Sequence, residues 1–141
     1  MDMNVLNDGS GRLLSRPPLI HEELTRQILS AAICVHRELG PGLLESAYQA
    51  CLCHELALRG IPFEAEVPLP VPYKGIRLDC GYRMDLVVNA NVALELKSIE
   101  KVLPIHHSQL MTYLRLSGLR VGLLINFNVD VLRKGIIRRV I

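Results

Sequence analysis

Tryptophan is absent from this 141-residue chain, and ring side chains as a whole are few, with four Tyr and two Phe. That scarcity excludes a platform that lays out successive unpaired bases by stacking, because each base needs its own ring face. Cysteine is sparse as well. Cys34, Cys51, Cys53 and Cys80 form no CxxC pair and stand among apolar neighbours, so they read as buried free thiols in preference to a metal site. No apolar run approaches the roughly 18 residues of a membrane span. Residues 1–11 also lack the basic start and apolar stretch of an export signal, so a soluble, cytoplasmic protein with no membrane partner is expected. Nor is there an excess of one charge. The 16 Lys plus Arg stand against 14 Asp plus Glu, for a net +2, which excludes a surface that coats itself in polyanion by electrostatics alone. Any such contact must be local.

What is present is apolar mass: half of the residues are hydrophobic. A chain of this length makes one domain and buries roughly 68–70% of its unfolded surface without help from disulfides or structural metals. Residues 1–19 are polar, contain Gly and Ser, and close on Pro17-Pro18; they read as a flexible tail before a single domain over 20–141. From Ile20 onward Leu24, Ile28, Ala31, Ala32, Val35 and Leu39 recur at spacings of three and four, the mark of a helix with one apolar face. Gly40-Pro41-Gly42 stops it, and a second helix is expected at once, with Leu44, Tyr48, Leu52 and Leu56 in four-residue steps up to Arg59-Gly60.

After Gly60 the period changes to two. Phe63 to Tyr73 carries three prolines and reads as an edge or bulged strand. Lys74-Gly75 is a turn, Ile76 to Val88 a strand, Asn89-Ala90-Asn91 a turn, and Val92 to Ser98 a strand. Pro104 opens a helix that Gly118 closes. Val121 to Phe127 is apolar throughout, as in a strand buried on both faces, and Gly135 to Ile141 is a last strand. The order predicts an α/β fold bordering on α+β, with a mixed sheet.

The hairpin around Ala90 carries the chemistry. If the turn is centred there, Asp85 lies opposite Glu95 and Arg83 opposite Lys97. Side chains alternate along a strand, so Glu95 and Lys97 share a face while Leu94 and Leu96 point into the core. Two carboxylates with Cβ atoms about 4.5–5.5 Å apart repel unless a cation stands between them. Hard oxygen donors, few in number and with room for water, suit Mg²⁺ or Mn²⁺ held together with a phosphate. An ion so placed activates water and stabilises charge on an attacked phosphodiester, and a neighbouring lysine assists. The same residues also fit an amphipathic strand whose polar face meets solvent, and a two-residue turn would put Asp85 and Glu95 on opposite faces.

Gly81-Tyr-Arg-Met-Asp85 followed by Glu95-Leu96-Lys97 resembles the signature of the PD-(D/E)xK nuclease superfamily. Gln109-x-x-x-Tyr113 is similar to the QxxxY motif of its RecB-type branch. Gly42-Leu-Leu-Glu45-Ser-Ala-Tyr48 matches the GxxExxY motif that names a family of small bacterial proteins placed in this superfamily. Leu39-Gly40-Pro41-Gly42 and Gly122-Leu-Leu-Ile-Asn126-Phe127 also look like that family, and the resemblance spans residues 20–141. It implies a restriction-endonuclease-like core, a mixed central sheet flanked by helices, and a metal-dependent nuclease acting on DNA in preference to RNA. The other reading it allows is a catalytically inactive module on the same fold that binds nucleic acid or protein.

By the same resemblance Asp85 and Glu95 are metal ligands, the Leu96 carbonyl a third, and Lys97 the catalytic lysine. Glu45 completes the metal site or holds a water; alternatively, with Gly42 as N-cap, it caps its own helix from the third position. Tyr48 is expected to pack. Gln109 joins the catalytic set, and Gln109, Tyr113 and His106, which share a helix face, line the substrate side; Tyr113 serves equally as a core residue. His36 is either a further metal ligand or a satisfied core histidine. The cysteine spacing does not reproduce the iron–sulfur arrangement of some relatives, so no cluster is expected, and without a Gly-rich phosphate loop no use of ATP. Arg83, Arg115, Arg120, Arg138 and Arg139 are the residues expected to meet a phosphate backbone. A chain this small leaves substrate choice to self-association or a protein partner.

Overall fold

The computed structural model describes residues 19–141 throughout and, before them, the backbone of two short strands, β1 (Val5–Asn7) and β2 (Leu13–Ser15), which pair antiparallel. The flexibility expected of residues 1–19 otherwise falls outside the described residues. Helix α1 (Glu22–Leu39) buries Ile28, Ala31, Ala32, Val35 and His36, the stripe its spacing predicts. Glutamates in its first turn and His36 and Arg37 in its last suit the helix dipole, and the Gly40 amide closes it by donating to the His36 carbonyl at 2.8 Å. Helix α2 (Glu45–Leu58) buries Tyr48, Leu52 and Leu56. It does not start at once, as the spacing suggested. Leu44 is the extended residue before it and is 75% exposed, so the chain crosses Gly40 to Leu44 in an open loop.

Strand β3 (Phe63–Pro68) is an edge strand, as expected, but it ends at Pro68 and not at Tyr73; its register with the neighbouring strand is the same on both sides of Glu66, where the pairing is interrupted and φ is 53°. The single strand expected over Ile76 to Val88 is two. Strands β4 (Val71–Tyr73) and β5 (Ile76–Leu78) form a separate ribbon, and β6 (Arg83–Val88) returns to the main sheet. The break lies at Asp79 to Gly81: the Gly81 amide donates to Asp79 Oδ1 at 2.9 Å and Gly81 takes a left-handed φ of 82°, a turn that alternation of apolar residues does not reveal.

Strand β7 (Val92–Lys97), helix α3 (Pro104–Ser117), strand β8 (Val121–Asn126), a short 3-10 turn at Leu132–Gly135 and strand β9 (Ile136–Val140) complete the chain. The main sheet runs β3-β6-β7-β8-β9. Its neighbours are antiparallel except β7 and β8, which are parallel and joined by the α3 crossover. The fold is therefore α/β, a mixed sheet flanked by three helices. Helices α1 and α2 cover one face with Leu86, Val88, Leu94, Leu96, Leu123 and Ile125 in a common cluster. Helix α3 lies on the other. A Cβ at Gly122 would come within 2.8 Å of Leu110 Cδ1, so glycine is what lets α3 lie so close to β8. All six residues of β8 are buried, as a strand covered on both faces requires.

The thiols depart from expectation. Cys51 and Cys80 are exposed and Cys34 and Cys53 only half-buried; Cys80 lies between Asp79 and Gly81 in the turn before β6.

In the β6–β7 hairpin Val88 pairs with Val92 and Leu86 with Leu94, the register centred on Ala90. The Asn91 amide donates to the Val88 carbonyl at 3.0 Å, and Asn89 and Ala90 both adopt left-handed φ values, 50° and 56°. Asparagine tolerates that region; alanine pays roughly 1–2 kcal/mol for it. Glycine removes this cost and adds about 0.4–1 kcal/mol of unfolded-chain entropy. Ala90→Gly is therefore expected to raise stability by about 0.5–1 kcal/mol in urea unfolding, with an unchanged denaturant slope.

Candidate active site

The register of the hairpin brings Asp85 and Glu95 together. The ladder stops at Leu86 and Leu94. Beyond it the backbone turns to side chains: the Leu96 amide donates to Asp85 Oδ2 at 2.7 Å, and the Asp85 amide donates to Glu95 Oε1 at 3.3 Å. Each carboxylate thus has one oxygen held by backbone, while Asp85 Oδ1 and Glu95 Oε2 take no hydrogen bond among the described residues. Glu95 is only 7% exposed. Lys97, two residues further along the same face, is half-buried and makes no ion pair within 4.0 Å among the described residues.

The electrostatics follow from burial. Desolvation, and then the charge of Asp85, push the Glu95 carboxyl from an ordinary 4.5 up to about 8, against the pull of the Asp85 amide and Lys97. Asp85 is raised in the same sense, first by burial and then by Glu66 and Glu45, with the Leu96 amide and Lys97 opposing. Among the described residues no three His, Cys, Asp or Glu side chains group tightly enough to cage a metal ion. Two carboxylates, each with one oxygen left over, nevertheless match what Mg²⁺ asks of a protein, one or two carboxylates with water and substrate phosphate making up the rest. Leu96 touches the site through its amide.

Glu45 is the first residue of α2, not the third, and makes no side-chain cap; the capping alternative falls because Leu44, not Gly42, is the N-cap. Its Oε1 accepts from the Ser98 amide at 3.4 Å, one residue past Lys97, and Ser98 Oγ donates to the Leu43 carbonyl at 2.6 Å. Glu45, Ser98 and Asp85 line a cleft of about 540 Å³ together with Gln49 and Glu66. Tyr48 packs, as expected. Its ring stacks on Phe127 with centroids 4.4 Å apart, and its hydroxyl donates to the Gly40 carbonyl and accepts from the Leu43 amide, tying down the loop that presents Glu45.

Three further candidate residues lie outside the acidic pair. His36 is buried at the end of α1 with Nε2 2.8 Å from the Val129 carbonyl and its ring 6.3 Å from that of Phe127, the position of a satisfied core histidine. The His106 Nδ1 accepts from the Leu103 amide at 2.9 Å, so its ring caps the start of α3. Gln109 is exposed on α3 and its side chain bonds nothing among the described residues. Tyr113 is half-buried and close enough for burial, then Glu95, Tyr82 and Asp85, to raise its hydroxyl pKa; its ring meets Tyr82 edge-on at 6.1 Å. Of the arginines, Arg83 pairs with Asp79, Arg138 donates to the Ile20 carbonyl and Arg120 to the Ile141 carbonyl.

Two polar residues of the cleft escaped the sequence reading. Glu66 stands across from Asp85 on β3, and Gln49 lies one turn beyond Glu45 on α2. The i, i+4 spacing of Glu45 and Gln49 was a usable signal; the β3–β6 register was not, because the ribbon between those strands hides their alignment. Buried Asn126, in register with Lys97, holds Ile99 by both its amide and its carbonyl, at 3.1 and 3.0 Å, and so fixes the chain leaving the site.

The structure thus joins a mixed sheet to a pair of carboxylates and a lysine at its central hairpin. The family model described as the PD-(D/E)XK nuclease superfamily matches residues 22–140, from the first residue of α1 to the last of β9. The chain belongs to the PD-(D/E)XK nuclease superfamily. No curated protein and no solved structure matches it. Among the described residues no helix is long and apolar enough to cross a membrane.

The raised carboxyls give a pH signature for the cation-free protein. A folded-state pKa above the unfolded one means the native state binds more protons between the two values, so stability is full below about 4.5 and declines as pH rises towards about 8. Glu55, Asp79 and Asp130 are shifted down and act only below this window. Urea unfolding in chelator is expected to lose up to about 1.4 kcal/mol per pH unit across it, and Glu95→Gln to flatten the slope; a flat wild-type profile contradicts the assignment.

Proposed function

We propose that this chain is a divalent-metal-dependent nuclease that hydrolyses phosphodiester bonds, in DNA in preference to RNA, and that it belongs within the superfamily to the GxxExxY family of the RecB-like branch. The observation that carries the reading is the pair of adjacent-strand carboxylates, each pinned by a backbone amide through one oxygen and open at the other, with Lys97 on the same face. Membership of a nuclease superfamily supports it.

In this reading Asp85 and Glu95 hold Mg²⁺ or Mn²⁺, with the Leu96 carbonyl as a further donor. The bound ion supplies Lewis acidity to the phosphodiester and its attacking water. Lys97, without an ion pair among the described residues, orients the nucleophile and offsets charge that develops on the phosphate. Glu45, tied to the Ser98 amide, holds a water at the cleft wall. Gln109 and Tyr113 meet the substrate from α3, with the free nitrogen of His106 beside them. The protein is expected to act in the bacterial cytoplasm without ATP or an iron–sulfur cluster, alone or with a partner that selects the substrate.

Cleavage of single- and double-stranded DNA and of RNA by the wild type and by Lys97→Ala, in Mg²⁺ and in Mn²⁺, tests this. The variant is expected to fold normally and lose about 10²–10³-fold in rate. No cutting by the wild type on any substrate in either metal would instead favour the inactive, nucleic-acid- or protein-binding module.

A further inference from the structure

Gln49 occupies an unusual position. It is uncharged, stands one helical turn after Glu45, and its Nε2 lies 2.7 Å from Glu66 Oε1 and 3.4 Å from the Asp85 carbonyl. One amide group therefore links α2, β3 and β6 at the cleft. Glu66 in turn sits where the β3–β6 pairing skips a step: Ala65 pairs with Leu86 and Val67 with Met84, while Glu66 turns left-handed at φ 53° across from Asp85. Gln49 is the one hydrogen-bond partner of the Glu66 carboxylate among the described residues.

We propose that Gln49 is a positioning residue of the metal site, acting through Glu66: it fixes that carboxylate beside Asp85 and so strengthens the attraction of the site for a divalent cation. The proposal rests on the metal-dependent reading above. Its logic is chemical. A lysine or arginine at position 49 would hold Glu66 equally well but cancel its charge, whereas an amide orients the carboxylate and leaves the charge to act on the site. That charge is felt at both proposed ligands, since Glu66 contributes to the upward shifts of Asp85 and Glu95. Released from Gln49, the exposed Glu66 side chain would move into solvent, where its field on the pair is screened. Partners that orient charged groups around a metal typically govern its affinity about 10–100-fold.

The test is calorimetric titration of the full chain with Mn²⁺ alone, for the wild type, Gln49→Ala, Glu66→Gln and the double variant. Glu66→Gln keeps an acceptor for Gln49 and removes only the charge, so it should melt with the wild type. Each single variant is expected to bind Mn²⁺ about tenfold more weakly, and the double variant no more weakly than Glu66→Gln, because Gln49 has nothing left to position. If cleavage is observed, Gln49→Ala should regain the wild-type kcat at saturating Mn²⁺. Wild-type affinity in the variants, or losses that multiply in the double variant, would overturn this inference and leave the metal-dependent reading standing. A wild type that gives no Mn²⁺ isotherm overturns both.

Discussion

Asp85 and Glu95 face each other where the β6–β7 ladder ends, and the backbone amides just beyond the last pair go to their carboxylates. This exchange is the constraint on which the site rests. It sets two carboxyl groups side by side in a partly dry environment and holds each in one orientation, with Lys97 beside them. Desolvation is the larger effect at both carboxyls, and mutual repulsion the next at Glu95, so the arrangement is costly unless a proton or a cation resolves it. Such a pair in an otherwise apolar sheet lowers stability as pH rises through the raised carboxyl range.

The surrounding framework serves to hold that position still. The stacked rings of Tyr48 and Phe127 and the Tyr48 hydroxyl immobilise the loop before α2, so that the GxxExxY segment acts as one device: Gly42 makes the left-handed turn, Glu45 starts the helix beside Ser98, and Tyr48 locks the loop from beneath. On the far side Asn126 grips Ile99 and the Phe127 amide donates to the Lys97 carbonyl at 2.9 Å. The strand carrying Glu95 and Lys97 is thereby fixed at its exit as firmly as at its hairpin. Gly122, by admitting α3 close to β8, brings Tyr113 over the acidic pair.

Much of this was legible beforehand for a physical reason: it depends on local periodicity. The helical stripe of α1, the boundaries of α3, the wholly apolar β8 and the hairpin centred on Ala90 each follow from spacing within a dozen residues, and the hairpin register alone carried Asp85 opposite Glu95. Spacing left open or misplaced what depends on contacts outside the periodic pattern. His36 lies on the apolar face its spacing predicts, but only the approach of Val129 shows that its nitrogen is taken. Cys51 has apolar neighbours in sequence and solvent as a neighbour in space. The strand expected over Ile76 to Val88 broke because one aspartate bonded an amide two residues on.

The amino-acid sequence by itself determined the elements and the chemistry of the acidic hairpin, because alternation along a strand and the length of a turn are properties of a few consecutive residues. It determined too the motifs by which the superfamily is known. Only the tertiary structure decided what surrounds that hairpin. The break in pairing at Glu66, the helix turn that sets Gln49 against it, and the helix start that brings Glu45 to Ser98 depend on how β3 and α2 dock on β6 and β7. Those contacts join residues 17 to 53 positions apart in the chain, and no local pattern constrains them.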